Sequence, residues 1–445
     1  MFTKITLHNF RSFKHIEFDL RNKNGSPKKL VMLYGENGSG KSNLLSAFVL
    51  LSELFKTFDV KELYERLLNQ ESIFSNADVD KTIKQKMVNE LRDIKKIIND
   101  YRMIDCNENI VVEYEFMINN NVGNYYIEFD ESEIVCEKLE FLLNKRRGVF
   151  FECNARSISI NSGLVNDKDL FDDIRASSKR YWGKHSMLSI ILRELEEKSE
   201  SFGWNNINGN FLDVLSKFRL ISEHIDIDSR SWNGLIVPYE VFENAIEGRI
   251  HINDEKQLDI SEDIFTAFFS SINSNISKAY YKRTYVDKYI HYNLYLEKII
   301  SGAKRNINFS RESTGNHQLL KVLCFLICAC CGRIVVFDEA DSGIHDVLFQ
   351  KIMNDIYPMI NGQLIISTHN TMLMETCFAR NAVHVIYEDD NDIVVRPVNN
   401  YDKRTYIKNN IRNKYLSGEY KGVPTVQNVN FSHILDLFND GLKIN

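Results

Sequence analysis

The chain has 445 residues, 26% of them charged and 44% hydrophobic, an ordinary globular balance with room for two or three compact units. Its formal charge of −6, from 55 basic and 61 acidic side chains, argues against a general coat of nucleic-acid contacts but leaves a local basic groove open. No apolar run reaches the ~18 residues of a membrane span, and the alternating start MFTKITLHNF lacks a signal-peptide core, so a cytoplasmic protein with no membrane partner is expected.

Residues 3–8 and 15–20 alternate as two strands joined through Asn9-Phe10-Arg11-Ser12-Phe13. Leu30 to Tyr34 is a short apolar run suited to a buried parallel strand, and Asn43 to Leu51 begins a helix. Between them stands Gly35-Glu36-Asn37-Gly38-Ser39-Gly40-Lys41-Ser42, the G-x-x-x-x-G-K-[ST] spacing of a phosphate loop in its strand-to-helix setting. Gly35, Gly38 and Gly40 open turn conformations that aim several N–H groups at one anion, and the helix N-terminus adds partial positive charge. Asn37, Gly38, Ser39, Gly40 and Asn43 are the other candidates for ATP contact. Lys41 is expected to reach the β- and γ-phosphates, and the Ser42 hydroxyl to hold Mg²⁺.

Residues 52–105 read as helical, with Ile83, Met87, Leu91, Ile94, Ile98 and Tyr101 on one packing face. Val111 to Phe116, Asn124 to Phe129 and Ile134 to Phe141 alternate as an antiparallel meander, followed by a basic turn, Asn144 to Gly148, and a strand, Val149 to Cys153. Residues 155–285 carry no nucleotide motif and show helical spacing at Leu188 to Leu195, Phe211 to Ile221 and Ile264 to Ile276. This block either receives an effector or only buttresses the sheet. From Tyr285 to Leu296 the period changes to two. With Lys278, Lys282, Arg283 and Lys288 the Tyr-rich stretch suits a nucleic-acid surface, although an aromatic hairpin packed on the core is the simpler reading.

Arg311 to Gln318 precedes a helix, Leu319 to Cys331, that Gly332 ends. Cys324, Cys328, Cys330 and Cys331 lie in this apolar run and read as small core thiols rather than a metal site. Ile334 to Phe337 is a buried strand that delivers Asp338 and Glu339. An aspartate there holds Mg²⁺ beside a phosphate loop, and an adjacent glutamate orients and deprotonates the attacking water. Gln363 to Ser367 is a further strand delivering Thr368, His369 and Asn370, where the histidine can meet a γ-phosphate. Glu388, Asp389, Asp390 and Asp392 suit a metal-dependent nuclease, but between two strand-like runs they read more simply as a hairpin turn.

Phosphate loop, Ser-x-Gly helix start, Asp-Glu and Thr-His, in this order, resemble an ABC-type ATPase head. The Asn9-Phe10-Arg11-Ser12-Phe13 opening resembles the branch holding SMC and RecF-like proteins, in which two heads sandwich two ATP molecules. That resemblance implies that Ser313 and Gly315 contact the γ-phosphate bound by the opposite subunit. It also makes Asp341 a D-loop residue and His369 a switch histidine, and sets Arg11 near the phosphates. The Ser-Thr-Gly-Asn-His signature departs from the transporter form, no glutamine is placed as the Q-loop residue, and the absence of a long heptad arm excludes a chromosome-tethering SMC protein. Ile134-Val135-Cys136-Glu137-Lys138-Leu139, Glu312-Ser313-Thr314-Gly315 and the tail Tyr415 to Pro424 look like RloA/AbiLi-type defence ATPases, relatives of the OLD proteins. Such proteins work with a separately encoded effector, often a nuclease.

The expected fold class is α/β, an ABC-type P-loop ATPase head with a RecA-like mixed sheet, an antiparallel β meander and a mostly helical insertion. Residues 1–154 and 286–445 form the two parts of the head, and residues 155–285 the insertion. The resemblance implies a homodimer or higher homo-oligomer that hydrolyses ATP with Mg²⁺ and controls a nuclease or toxin effector against phage. A RecF-like DNA-binding repair ATPase is the alternative, so a nucleic-acid partner stays open.

Overall fold

The computed structural model describes residues 1–58, 93–198, 200–227, 230–237, 239–390, 392–401, 410–424 and 430–442. Ile83, Met87 and Leu91 of the expected helical stripe lie outside them; Ile94, Ile98 and Tyr101 fall on the buried face of the helix Ile94–Tyr101.

The chain opens with β1 (Phe2–Phe10) and β2 (Phe13–Asp19), passes through β3 (Leu30–Tyr34), and enters the phosphate-loop helix Lys41–Phe55. A meander follows: β4 (Ile110–Ile118), β5 (Asn121–Phe129), β6 (Ile134–Leu142), β7 (Arg147–Asn154) and β8 (Ser157–Ile160). With β1 and β2 it forms one antiparallel sheet in the order β2-β1-β4-β5-β6-β7-β8. Its strands bury alternate residues, the pattern of a sheet with one face on the core.

The helices Lys168–Tyr181, Met187–Glu197, Glu200–Asn206 and Gly209–Arg219 come next, then β9 (Ile221–Ile227) and β10 (Arg230–Gly234). β11 (Glu247–His251), the helix Glu255–Ile272, β12 (Ile276–Val286), β13 (Tyr289–Ile300) and β14 (Ala303–Asn308) make a smaller antiparallel sheet, in which β13 pairs with all three other strands. Helix predominates across 155–285, as expected, but the segment is not one separate block. β9 runs parallel to β15 (Ile334–Phe337) inside the central sheet. Its apolar residues Ile221, Ile225 and Ile227 are separated by the polar run Ser222-Glu223-His224 and by Asp226, which hides it from a search for continuous apolar strands.

The central sheet is completed by β16 (Gln363–Ser367), β17 (Val383–Asp389) and β18 (Asp392–Pro397), in the order β10-β9-β15-β16-β3-β17-β18. Its five inner strands are parallel, and both edge strands antiparallel. Both faces are covered, so β3, β15 and β16 are apolar throughout or nearly so. Val31 and Leu33 face the core shared with the phosphate-loop helix and the meander, while Leu30, Met32 and Tyr34 face the core under the helix Thr314–Cys330. Each such side chain contributes about 1.5–3 kcal/mol by leaving water.

Buried polar groups tie the layers. Gln363 accepts from the Phe2 N–H at 2.8 Å and donates to the Phe2 and Lys28 carbonyls at 2.9 and 3.1 Å. Glu137, in the meander, receives the Met187 N–H, the Tyr125 hydroxyl and the Trp182 indole, joining that sheet to the helical block. The same block rests on the end of the phosphate-loop helix, where Ser186 donates to the Leu54 carbonyl at 2.6 Å. No helix among the described residues is long and apolar enough to cross a membrane.

Glu223 on β9 is buried, with the Ser52 hydroxyl donating to it at 3.2 Å. Burial pushes its carboxyl up from 4.5 to about 8, against the pull of Lys56 and Ser52. Its stabilising share is therefore complete below the ordinary carboxylate range and is lost as pH rises through about 8. Glu223→Gln keeps the shape and removes the titration. Between about pH 5 and pH 8 wild-type stability should fall relative to the variant, on the order of a few kcal/mol. Thermal melts of both proteins across that range check this, and parallel curves would assign the pH dependence elsewhere.

Candidate functional site

The strands bring the site together because β15, β16 and β3 end side by side. Phe337 pairs with Ile366, and Ser367 with Leu33, so Asp338, Thr368 and Gly35 leave the same edge of the sheet. Ligands of open α/β sheets bind at such carboxyl ends.

The phosphate loop turns immediately after Tyr34. A Cβ on Gly35 would stand 2.6 Å from the Ile386 carbonyl oxygen, so only glycine fits. Gly40 takes φ +96 as the residue before the helix, and Gly38 takes φ +79, both in the left-handed region. Asn37 and Gly38 are exposed at the loop tip. Lys41 folds back over the loop, donating to the Gly35 and Glu36 carbonyls at 2.9 and 2.8 Å. Burial lowers its pKa, while Asp338 and Glu339 raise it, so the ammonium shares the field of that acidic pair. The Ser39 hydroxyl oxygen is buried without a hydrogen-bond partner among the described residues. An orphaned donor in a cradle of left-handed glycines fits a phosphate oxygen. Ser42, in the first helical turn, and Asp338 offer the oxygen donors that Mg²⁺ prefers.

The β1–β2 turn reaches this helix. Asn43 donates to the Ser12 hydroxyl at 2.9 Å, and a Cβ on Gly40 would meet the Phe13 ring at 2.9 Å. Arg11 takes φ +51 in that turn, with its guanidinium 5.0 Å from the centre of the Tyr101 ring.

Asp338 is buried and Glu339 exposed. One hydroxyl organises both, since Ser367 donates to the Asp338 carboxylate and accepts from the Glu339 N–H at 2.7 Å. The His224 carbonyl of β9 accepts the Asp338 N–H at 2.8 Å. Glu339 holds φ +48, a left-handed conformation costly for a residue with a Cβ. Ser367 escapes sequence reasoning; its position one residue before Thr368-His369 is the only hint. His369 is exposed at the end of β16. Burial pushes the Asp341 carboxyl up, opposed by the Thr368 hydroxyl and by His369.

The helix after the Ser-Thr-Gly loop spans Thr314–Cys330, starting five residues before the expected Leu319. The reason is Ser313, whose hydroxyl accepts from the Asn316 N–H at 3.3 Å and caps the helix. Gly332 follows the helix at φ +82, as expected. Gly315 packs on the loop that carries Asp341, because a Cβ there would stand 2.9 Å from the Gly343 carbonyl oxygen. Among the described residues no hydrogen bond joins Ser313 or Gly315 to the phosphate loop.

Behind the phosphate loop lies the tail. Tyr415 donates to the Gly422 carbonyl at 2.9 Å, and a Cβ on Gly422 would be 3.7 Å from the Gly35 Cα. Of the acidic cluster, Glu388 and Asp389 end β17 and Asp392 begins β18, so these carboxylates belong to a hairpin, where Lys421 holds Asp389 at 2.5 Å. Cys324 and Cys328 are buried and Cys331 is exposed; among the described residues no His, Cys, Asp or Glu cluster suits a metal ion.

Several solved structures are similar to the chain at low identity. One is an SMC head bound to the C-winged helix domain of ScpA, at 14% identity and TM-score 0.42, covering 89% of this chain and 97% of that one. Another is the SMC head domain from Thermotoga maritima, at 14% identity and TM-score 0.38, covering 89% and 98%. A third is the Smc head domain with a coiled coil and joint from Pyrococcus yayanosii, at 12% identity and TM-score 0.40, covering 94% and 99%. No curated protein matches the chain. The family described as "AAA domain, putative AbiEii toxin, Type IV TA system" matches residues 30–375. That match runs from β3 past the end of β16 and includes the phosphate loop, the Asp338–Glu339 pair and the Thr368–His369 turn, so this chain, with its mixed α/β fold, belongs to that AAA-domain family.

Proposed function

We propose that this chain hydrolyses ATP with Mg²⁺ as a homodimer or higher homo-oligomer, and that its nucleotide state controls a separately encoded nuclease or toxin in a bacterial anti-phage or abortive-infection system. The observation that carries the reading is the Ser367 hydroxyl holding Asp338 and Glu339 together at the strand end next to Lys41. Lys41 and the loop N–H groups bind the phosphates. Ser42 and Asp338 would hold Mg²⁺, which would supply neutralisation of the charge developing on the phosphate oxygens. Glu339 orients the water and takes its proton, and His369 contacts the γ-phosphate. Ser313, Gly315 and Asp341 of a second copy close the site. The Tyr415 to Pro424 tail and the toxin–antitoxin wording of the family description support the defence role. We place effector docking on the helices of residues 168–219, because they rest on the phosphate-loop helix and so sense its position.

Light scattering and turnover on the full chain test this. ATP with Mg²⁺ should raise the mass from monomer to dimer and be hydrolysed, and cells carrying the gene and its neighbour should resist phage in an Asp338-dependent way. Absence of both association and hydrolysis would overturn the reading.

A further inference from the structure

The pairing register of the smaller sheet sorts its Tyr-rich strands into two unlike faces. Residues opposite each other in an antiparallel pair share a face. Tyr281, Tyr292 and Leu294 point inward and are buried. Arg283 is also on that side, bound by Glu255, Asp259 and Glu262 of the helix Glu255–Ile272. The outward set pairs Tyr280 with Tyr295, Lys282 with Asn293, and Arg249 with His291. The rings of Tyr280 and Tyr295 stack at 5.8 Å and 25°, both half-buried, with the Lys278 ammonium 5.9 Å from the Tyr280 ring. At one end Arg249 lies over Tyr289 at 5.3 Å.

The outer face therefore carries Lys278, Lys282, Lys304 and Arg249 against two acids, Glu247 and Glu297, an excess of positive charge in a chain whose formal charge is −6. Glu297 is already engaged by Lys304 and Ser277. The centre of the face is Tyr, Lys, Asn, His and Thr, with aliphatic side chains only at the ends, at Val286 and Ile299. A protein partner would want an apolar centre. A ring platform flanked by cations suits unstacked bases and a phosphate backbone instead.

We propose that this outer face of β11–β14 binds single-stranded nucleic acid, with Tyr280 and Tyr295 stacking on bases and Lys278, Lys282 and Arg249 meeting phosphates. The site is separate from the nucleotide loop and goes beyond the ATPase reading.

Fluorescence anisotropy of the full chain with 20-nucleotide oligothymidine and oligouridine, across a salt series, tests it. Wild type should bind at least one of the two, and the comparison tells DNA from RNA. Tyr280→Ala with Tyr295→Ala should weaken binding about ten-fold or more. Lys278→Gln with Lys282→Gln, exposed changes that leave the packed face untouched, should lower the log–log salt slope by about 1.4, roughly 0.7 per lost phosphate contact. ATP turnover should stay at the wild-type level in both. No binding by wild type to either oligomer, or lysine variants with an unchanged salt slope, would overturn the proposal.

Discussion

Glu339→Gln should leave ATP and Mg²⁺ binding in place while slowing hydrolysis by about 10²–10⁴, the range for losing a general base. The substitution keeps length and shape, and the Ser367 contact to the backbone N–H of residue 339 survives. What goes is the group that takes the proton. The left-handed backbone supplies a control. Glycine adopts φ +48 without strain, so Glu339→Gly should be at least as stable as wild type and still fail to turn over. Lys41→Ala should behave oppositely, losing nucleotide binding itself. Steady-state turnover, nucleotide-binding titrations and thermal melts on the three variants separate the cases. Undiminished turnover in the Gln variant would remove Glu339 from the mechanism.

A mixture of two dead variants should recover part of the activity. Lys41→Ala disables a chain's own phosphate loop, and a second variant should disable only what the chain lends to its partner. Gly315→Asp is a poor choice for that role, because its side chain would collide with the Gly343 carbonyl of the same chain. Ser313→Arg is better. Ser313 is exposed, and losing its cap costs about 1 kcal/mol. In a mixed dimer one composite site then keeps both an intact phosphate loop and an intact Ser313. Equal mixing should give about half of the dimers one working site, so hydrolysis should rise from background to a substantial fraction of wild type. Activity in the mixture no greater than the sum of the two separate variants, with subunit exchange shown by light scattering of tagged chains, would rule out the shared site.

Features whose physics is local are legible in the order of the residues. The phosphate loop is contiguous, so its glycines, Lys41 and Ser42 declare the anion cradle without a fold. β15 and β16 lie within the expected bounds, because strands covered on both faces carry few polar positions, here only Gln363 and Ser367 at the two ends of β16. The meander is legible for the converse reason, since one wet face imposes a period of two. The other features depend on which strands are neighbours. β9 joins β15 although four of its seven residues are polar, because its fit rests on register rather than composition. Ser367 organises Asp338 and Glu339 only because β16 lies beside β15. Gly422 approaches Gly35 through the fold of a tail that begins more than three hundred residues away. The two faces of the tyrosine strands become distinct once the helix Glu255–Ile272 covers one of them. Period and composition state that a residue has a partner, but contacts between distant segments are settled by how whole layers pack.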